Sequence, residues 1–168
     1  MKNLIVTTAL ALLALSFLGC GAMEQTVDRK AEIETVSATI KGCITWCIPD
    51  KDRDRLYAHR VKDSTFFIFH PTSRSTIHGF DEFKAYAERI FFDPRFKATS
   101  VDIKDLRVNL SKRGDVAWFS CLLDDQGEWD GQPVGWKDAR WTGVLVKEDG
   151  VWLMAQEHFS LPTDAPQE

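Results

Sequence analysis

RWTGVLVKEDGVWLMAQEHFS, residues 140–160, decides the fold class. Apolar residues alternate with polar ones on both sides of Lys147-Glu148-Asp149-Gly150, and the Asp-Gly pair is a hairpin turn signal. Arg140 to Val146 and Val151 to Ser160 therefore read as two antiparallel strands. Upstream, Asp124 to Gly135 reads as a long loop, Ala117 to Leu123 as the preceding strand, and Lys112-Arg113-Gly114-Asp115 as a turn. Val101 and Ile103 alternate, the phase slips at Lys104-Asp105, and Leu106, Val108 and Leu110 resume it, which predicts a bulge. Before Pro94 the period is helical. Ile33, Val36, Ile40, Cys43, Ile44 and Cys47 form one stripe that stops before Pro49, and a shorter helix runs from Asp50-Lys51-Asp52 to about Arg60. STFFIF, residues 64–69, is a strand ending at His70-Pro71. A polar loop leads to Gly79, and a third helix carries Phe80, Phe83, Ala87, Ile90 and Phe91. Three helices interrupted by one strand, then an antiparallel meander, make an α+β domain with the helices on one face of a curved sheet.

Composition agrees with one globular domain. The 168 residues are 44% hydrophobic and 27% charged, with six Trp, eleven Phe and two Tyr, which argues against disorder. The net charge is −4 and no Lys/Arg-rich run interrupts it, so nucleic acid is not an expected partner.

The first twenty residues carry an address. Lys2 precedes an apolar run from Leu4 to Leu18 that is too short to span a bilayer comfortably and matches a secretory leader. Its end at Gly19-Cys20 resembles the lipobox of bacterial lipoproteins, in which the Cys receives lipid after cleavage. The resemblance implies a signal peptide over 1–19, lipid attachment at Cys20, and a tether over 20–27. The domain then covers 28–161 and a flexible tail 162–168. Phe17 and Leu18 depart from the usual lipobox residues, and the alternative is a plain leader cut near Ala22. In the lipoprotein pattern an Asp after the Cys retains the protein at the inner membrane; with Gly21 there, the resemblance implies the outer membrane or surface of a bacterial cell envelope, with the lipid as the only membrane contact. Export leaves Cys43, Cys47 and Cys121, an odd number. Cys43 and Cys47 are spaced as neighbours on a helical stripe, not as a redox C-x-x-C, and read as small buried residues.

The element order, the 140–160 string, the helix before Pro49, the His-Pro after the first strand and the Gly79 opening the third helix together resemble the SnoaL-like branch of the nuclear transport factor 2-like superfamily. The resemblance implies a cone-shaped roll with a deep apolar pocket, and a homodimer through the other face of the sheet. It does not imply one reaction, because the same cone serves isomerases, cyclases, dehydratases, hydrolases and assembly modules. Laid on the superfamily's ketosteroid isomerase pattern, the helix Tyr falls on Trp46, the base Asp on His70 and the late Asp near Thr142. Of these, His70 alone keeps acid–base capability, with an imidazole suited to proton transfer near neutrality.

By the same resemblance Trp118, Ser120, Leu122 and Asp124 face the pocket, as do Arg140, Thr142 and Val144. On the last strand Leu153, Ala155, Glu157 and Phe159 point inward and His158 outward. One bulge would exchange those faces, so Glu157 and His158 both stay candidates. An inward Arg140 needs an anionic partner, either Glu157, Asp124 or a ligand carboxylate. Trp46, Trp118 and Trp141 either stack a flat ligand or pack the core. His70, His78 and His158 have no recognised metal-ligand spacing, and there is neither a G-x-S-x-G nor a Gly-rich phosphate loop, so no metal or cofactor is expected. The leading expectation is a pocket that binds a small apolar or aromatic molecule, with or without an anionic group met by Arg140. The alternatives are an enzyme with His70 as general base, and an assembly module whose cone is filled by its own Trp and Phe side chains.

Overall fold

A computed structural model of the chain describes residues 27–72 and 76–162. The leader, Cys20, nearly all of the tether and the tail beyond residue 162 lie outside the described residues. Helix α1 (Arg29–Ile44) starts where Asp28 caps it, its carboxylate accepting from the Lys30 and Ala31 amides at 3.1 and 3.2 Å. Its stripe of Val36, Ile40 and Cys43 is fully buried. A 3-10 turn (Thr45–Cys47) follows, so Trp46 and Cys47 lie just past the α-helix rather than on it. Then come α2 (Arg53–Ala58), β1 (Phe67–Phe69), a two-residue strand β2 (Ile77–His78) in what reads from sequence as a loop, and α3 (Phe80–Ile90). Gly79 opens α3 at φ 83°, a left-handed conformation that a Cβ disfavours, with its amide donating to the Phe66 carbonyl at 2.7 Å.

Four long strands complete the sheet: β3 (Phe96–Leu110), β4 (Val116–Trp129), β5 (Gln132–Glu148) and β6 (Val151–Ser160). The order is β2-β1-β6-β5-β4-β3, antiparallel throughout except where β1 runs parallel to β6. The bulge in β3 falls between Lys104 and Arg107, where the sequence phase slips, and Asp105 takes a positive φ there. The supposed loop at Asp124 to Gly135 is instead the far half of the β4–β5 hairpin. Asp130 and Gly131, at φ 55° and 79°, make the two-residue turn that the right-handed strand twist favours.

The buried face is set by Ala117, Phe119, Cys121 and Leu123 on β4 and by Ala139, Trp141 and Leu145 on β5. Phe119 lies edge-on to Trp141 with ring centres 4.9 Å apart. A Cβ on Gly143, which pairs with Phe119, would sit 2.6 Å from that ring, so glycine is what lets the phenyl group lie across β5. Because Phe119 and Trp141 are inside, the pleat turns their neighbours out. This corrects the expected inward set: Trp118, Ser120 and Leu122 on β4 and Arg140, Thr142 and Val144 on β5 stand on the outer face, with Trp118 47% exposed. On β6 a register shift leaves Ala155 as the extra residue between Gln156, paired with Val144, and Met154, paired with Leu145. Glu157 and Phe159 therefore point inward as expected, His158 points out, and below the bulge Trp152 and Met154 are buried in place of Leu153 and Ala155.

Cys43, Cys47 and Cys121 are buried free thiols. Burial pushes them up to about 12, 11 and 12, which leaves them protonated and unreactive at neutral pH. Among the described residues no helix is long and apolar enough to cross a membrane.

Candidate active site

Between the helices and the inner face of the sheet lies a cavity of about 210 Å³. Its walls are mostly rings and aliphatic chains, with Trp46, Ile68, Phe83, Phe91, Trp136 and Phe159 prominent among them. A file of aromatic contacts runs from the core to the cavity. Trp141 stacks on Phe159 at 5.5 Å with 9° between planes, and Phe159 meets Trp136 at 5.4 Å and His70 at 5.6 Å. The cone is thus lined with its own aromatics but not filled by them.

Six ionisable groups line this space: the buried Cys43 thiol, the Tyr86 phenol, and four groups of contrasting environment, Arg60, Glu157, His70 and Asp125. At the buried end, Arg60 and Glu157 form an ion pair with side chains 4% and 1% exposed. Backbone bonds fix it: Val61 donates to Met154 at 3.0 Å and Met154 to His59 at 2.8 Å, which ties the segment after α2 to β6 and sets Arg60 against Glu157. Arg60 donates from Nε to Glu157 Oε1 at 3.2 Å, from Nη2 to the Cys43 carbonyl at 3.0 Å, and from Nη1 to the Leu56 carbonyl. Its guanidinium lies over Phe83 at 4.7 Å. Burial pushes the Glu157 carboxyl up, and the Arg60 charge pulls it back. The arginine that pairs with Glu157 is therefore Arg60, not Arg140. Arg60 lies two residues past the end of α2, four residues after the buried Leu56, a charged residue at a core spacing.

At the less buried end stand His70 and Asp125. His70 follows the last residue of β1, and its ring packs against Tyr86 at 5.6 Å, Trp136 at 5.9 Å and Phe159 at 5.6 Å. Asp125 was not singled out from sequence, because its segment read as loop and Asp124 took the inward place. Asp125 follows Phe119, Cys121 and Leu123 in unbroken alternation on β4 and shares their inward face, while Asp124 shares the outer face of Trp118; the extra residue at the register shift lies on β5, between Trp136 and Ala139. Asp124 now bonds Lys104 Nζ at 2.8 Å and the Asp138 amide at 2.7 Å, away from the cavity, while Asp125 lines it. Gly135, at φ 140°, permits the close approach: a Cβ there would fall 2.2 Å from the Asp125 carbonyl. The Asp130-Gly131 turn signal would have disclosed this strand. Burial alone pushes the Asp125 carboxyl up to about 6. Burial also raises the Tyr86 phenol.

Of the sequence candidates the structure brings Trp46, His70 and Glu157 to one cavity. It leaves Trp118, Arg140, Thr142 and His158 outside it. Among the described residues no group of three or more His, Cys, Asp or Glu is arranged to hold a metal ion.

A curved six-stranded sheet closed by three helices over such a cavity defines the cone of the nuclear transport factor 2-like class. Residues 36–164 match the SnoaL-like domain, and the chain belongs to the SnoaL-like family. A nuclear transport factor 2-like superfamily protein of Salmonella enterica superposes with a TM-score of 0.67 at 14% identity, covering 83% of this chain and 98% of that one. An NTF2-like protein of unknown function from Pseudomonas putida gives 0.62 at 18%, covering 82% and 91%. A candidate scytalone dehydratase of Novosphingobium aromaticivorans gives 0.64 at 14%, covering 83% and 91%. At such identities the likeness is one of fold. No protein of curated function matches the chain.

Proposed function

We propose that this SnoaL-like domain holds a small, flat, uncharged apolar or aromatic molecule in the cavity. The observation that carries the reading is the ring-lined space of about 210 Å³. An apolar cavity of about 150 Å³ takes up benzene, so this one suits a substituted ring or two fused rings. An anionic ligand loses its support, since Arg140 faces outward and Arg60 is neutralised by Glu157. Titration of the protein with 2-naphthol, followed by calorimetry and tryptophan quenching, should saturate. Ile68→Trp, which fills the space, should abolish it. Saturation that persists unchanged in Ile68→Trp refutes the reading.

A second reading, favoured by the position of His70 among the cavity rings, is proton-transfer catalysis with His70 as general base. The candidate dehydratase among the fold's neighbours supports it only as an analogy of fold.

Export and lipid attachment at Cys20 are inferred from Lys2, the Leu4–Leu18 run and Gly19-Cys20, and an outer-membrane location from Gly21 standing where Asp would retain the protein at the inner membrane. Labelled palmitate should enter the wild-type protein and not Cys20→Ser. A homodimer is proposed through the outer face, which carries exposed Trp118 and Phe69.

A further inference from the structure

We propose that Asp125 selects what the cavity holds: a flat bicyclic ring with a basic ring nitrogen, uncharged in neutral water, whose nitrogen bonds to the acid proton of the Asp125 carboxyl. The inference rests on the binding reading above, adds a ligand class to it, and involves no turnover.

Asp125 follows Phe119, Cys121 and Leu123 at alternate places on β4 and so faces inward, where it lines the cavity. Its ladder partner on β5 is Trp136, and its charge reaches Cys47, the residue after Trp46, and raises that thiol. It therefore stands at the end of the cavity walled by Trp46 and Trp136. Phe91 continues that wall, meeting Trp46 at 5.4 Å, Tyr86 at 5.3 Å and Phe96 at 6.3 Å.

The other ionisable groups that face this space do not answer Asp125. Arg60 and Glu157 satisfy each other, burial keeps the protons on Cys43 and Tyr86, and His70 packs among the rings of Tyr86, Trp136 and Phe159. The Asp125 side chain makes no hydrogen bond or ion pair among the described residues, whereas Asp124 beside it is held by Lys104 and the Asp138 amide. A carboxyl group shut among rings without a cation favours its protonated form, and that form needs an acceptor. Burial alone pushes this one up to about 6.

The ring faces carry negative charge, so the best acceptor is one that gains positive charge as it bonds. A carbonyl oxygen accepts the hydrogen bond but holds the proton poorly, and an anion is repelled. A ring nitrogen meets both demands. Where the proton crosses, the O–H bond breaks and an N–H bond forms, which leaves a carboxylate beside a ring cation, each stabilising the other.

The test compares quinoline with naphthalene, the same two fused rings without the nitrogen, on the full-length protein by calorimetry. Both should bind. In Asp125→Leu the affinity of quinoline relative to naphthalene should fall by about tenfold or more, the range for a hydrogen bond to a charged group. Wild-type affinity for quinoline should also weaken above about pH 6, as Asp125 loses its proton, and Asp125→Leu should lack that limb. In the wild type, the nitrogen NMR signal of 15N-labelled quinoline should move on binding toward that of quinolinium, a readout that needs no variant to fold. An unchanged quinoline-to-naphthalene ratio in Asp125→Leu, or a bound nitrogen that keeps its free-base signal, overturns the inference and leaves the pocket standing. Failure of both rings to bind the wild type overturns the pocket reading and the inference with it.

Discussion

The buried Arg60–Glu157 pair permits a quantitative test of how the pocket's closed end is held. Arg60→Met leaves a carboxylate that is 1% exposed without its cation, and Glu157→Leu leaves a guanidinium that is 4% exposed without its anion. Removing one partner of such a pair costs roughly 3–5 kcal/mol, because a charge is stranded away from water, whereas replacing both by apolar groups is often close to neutral. Here the double variant does not come free, since the Cys43 and Leu56 carbonyls also lose the donors that Arg60 supplies. At about 1 kcal/mol for each carbonyl, it should lie roughly 2 kcal/mol below wild type and above either single variant. For a domain of this size each kcal/mol moves Tm by about 3–5 °C, so the single variants should melt roughly 10–20 °C lower. Urea unfolding of the four proteins gives the coupling energy, expected at about 3 kcal/mol or more in magnitude. Single-variant losses that simply add, within about 0.5 kcal/mol, would refute the argument that the two charges depend on each other.

Three further outcomes follow from the site and its surroundings. Asp125 has an ordinary carboxyl value of 3.8 and is raised to about 6 in the folded chain, so between those values the folded state holds a proton that the unfolded state has released. Stability should therefore fall as pH rises from 4 to 6, by at most roughly 3 kcal/mol, and Asp125→Asn should flatten that slope in urea titrations across pH. Gly135→Ala places a Cβ against the Asp125 carbonyl at a φ of 140°; it should cost roughly 1–3 kcal/mol in urea unfolding and weaken 2-naphthol binding, and an unaltered affinity would separate the hairpin's geometry from the pocket. Trp118→Glu, on the exposed outer face, should leave the far-ultraviolet spectrum unchanged while shifting sedimentation from dimer to monomer; a dimer that survives it is not built on this surface.

The sequence made the parts with a single dominant period legible. The α1 stripe, the amphipathic α3 with its Gly79 start, the bulge after Lys104 and the β5–β6 turn all stand where the spacing put them. What stayed hidden was parity. Counting alternate residues on β4 and β5 from Trp118 and Arg140 puts the wrong set inside, because Phe119 and Trp141 are the larger residues the core takes up, and the count has no internal check on which is which. The outer half of the β4–β5 hairpin was hidden for another reason. Its residues Asp124-Asp125-Gln126-Gly127-Glu128 are polar because that half is less buried, so polarity there marks position and not a loop. Arg60 shows the converse, a charged residue spaced as core because it faces Glu157. Trp46 and His70 were reached through the superfamily pattern laid on the chain, and Glu157 only as one of two candidates, because the bulge at Ala155 leaves the phase of β6 open in the sequence.

The adjacent aspartates beside the β4–β5 register shift have a consequence for how this site tolerates change. Insertions and deletions of one residue are ordinarily fatal to a strand-borne site, since every side chain beyond them changes sides. Here the residue before Asp125 is another aspartate. One residue inserted ahead of the pair would carry Asp124 into the slot that Asp125 holds, so a carboxyl group would still face the rings, and Lys104 would keep Asp138 as its partner. The doublet holds a carboxyl in reserve for the cavity against a change of frame in that direction.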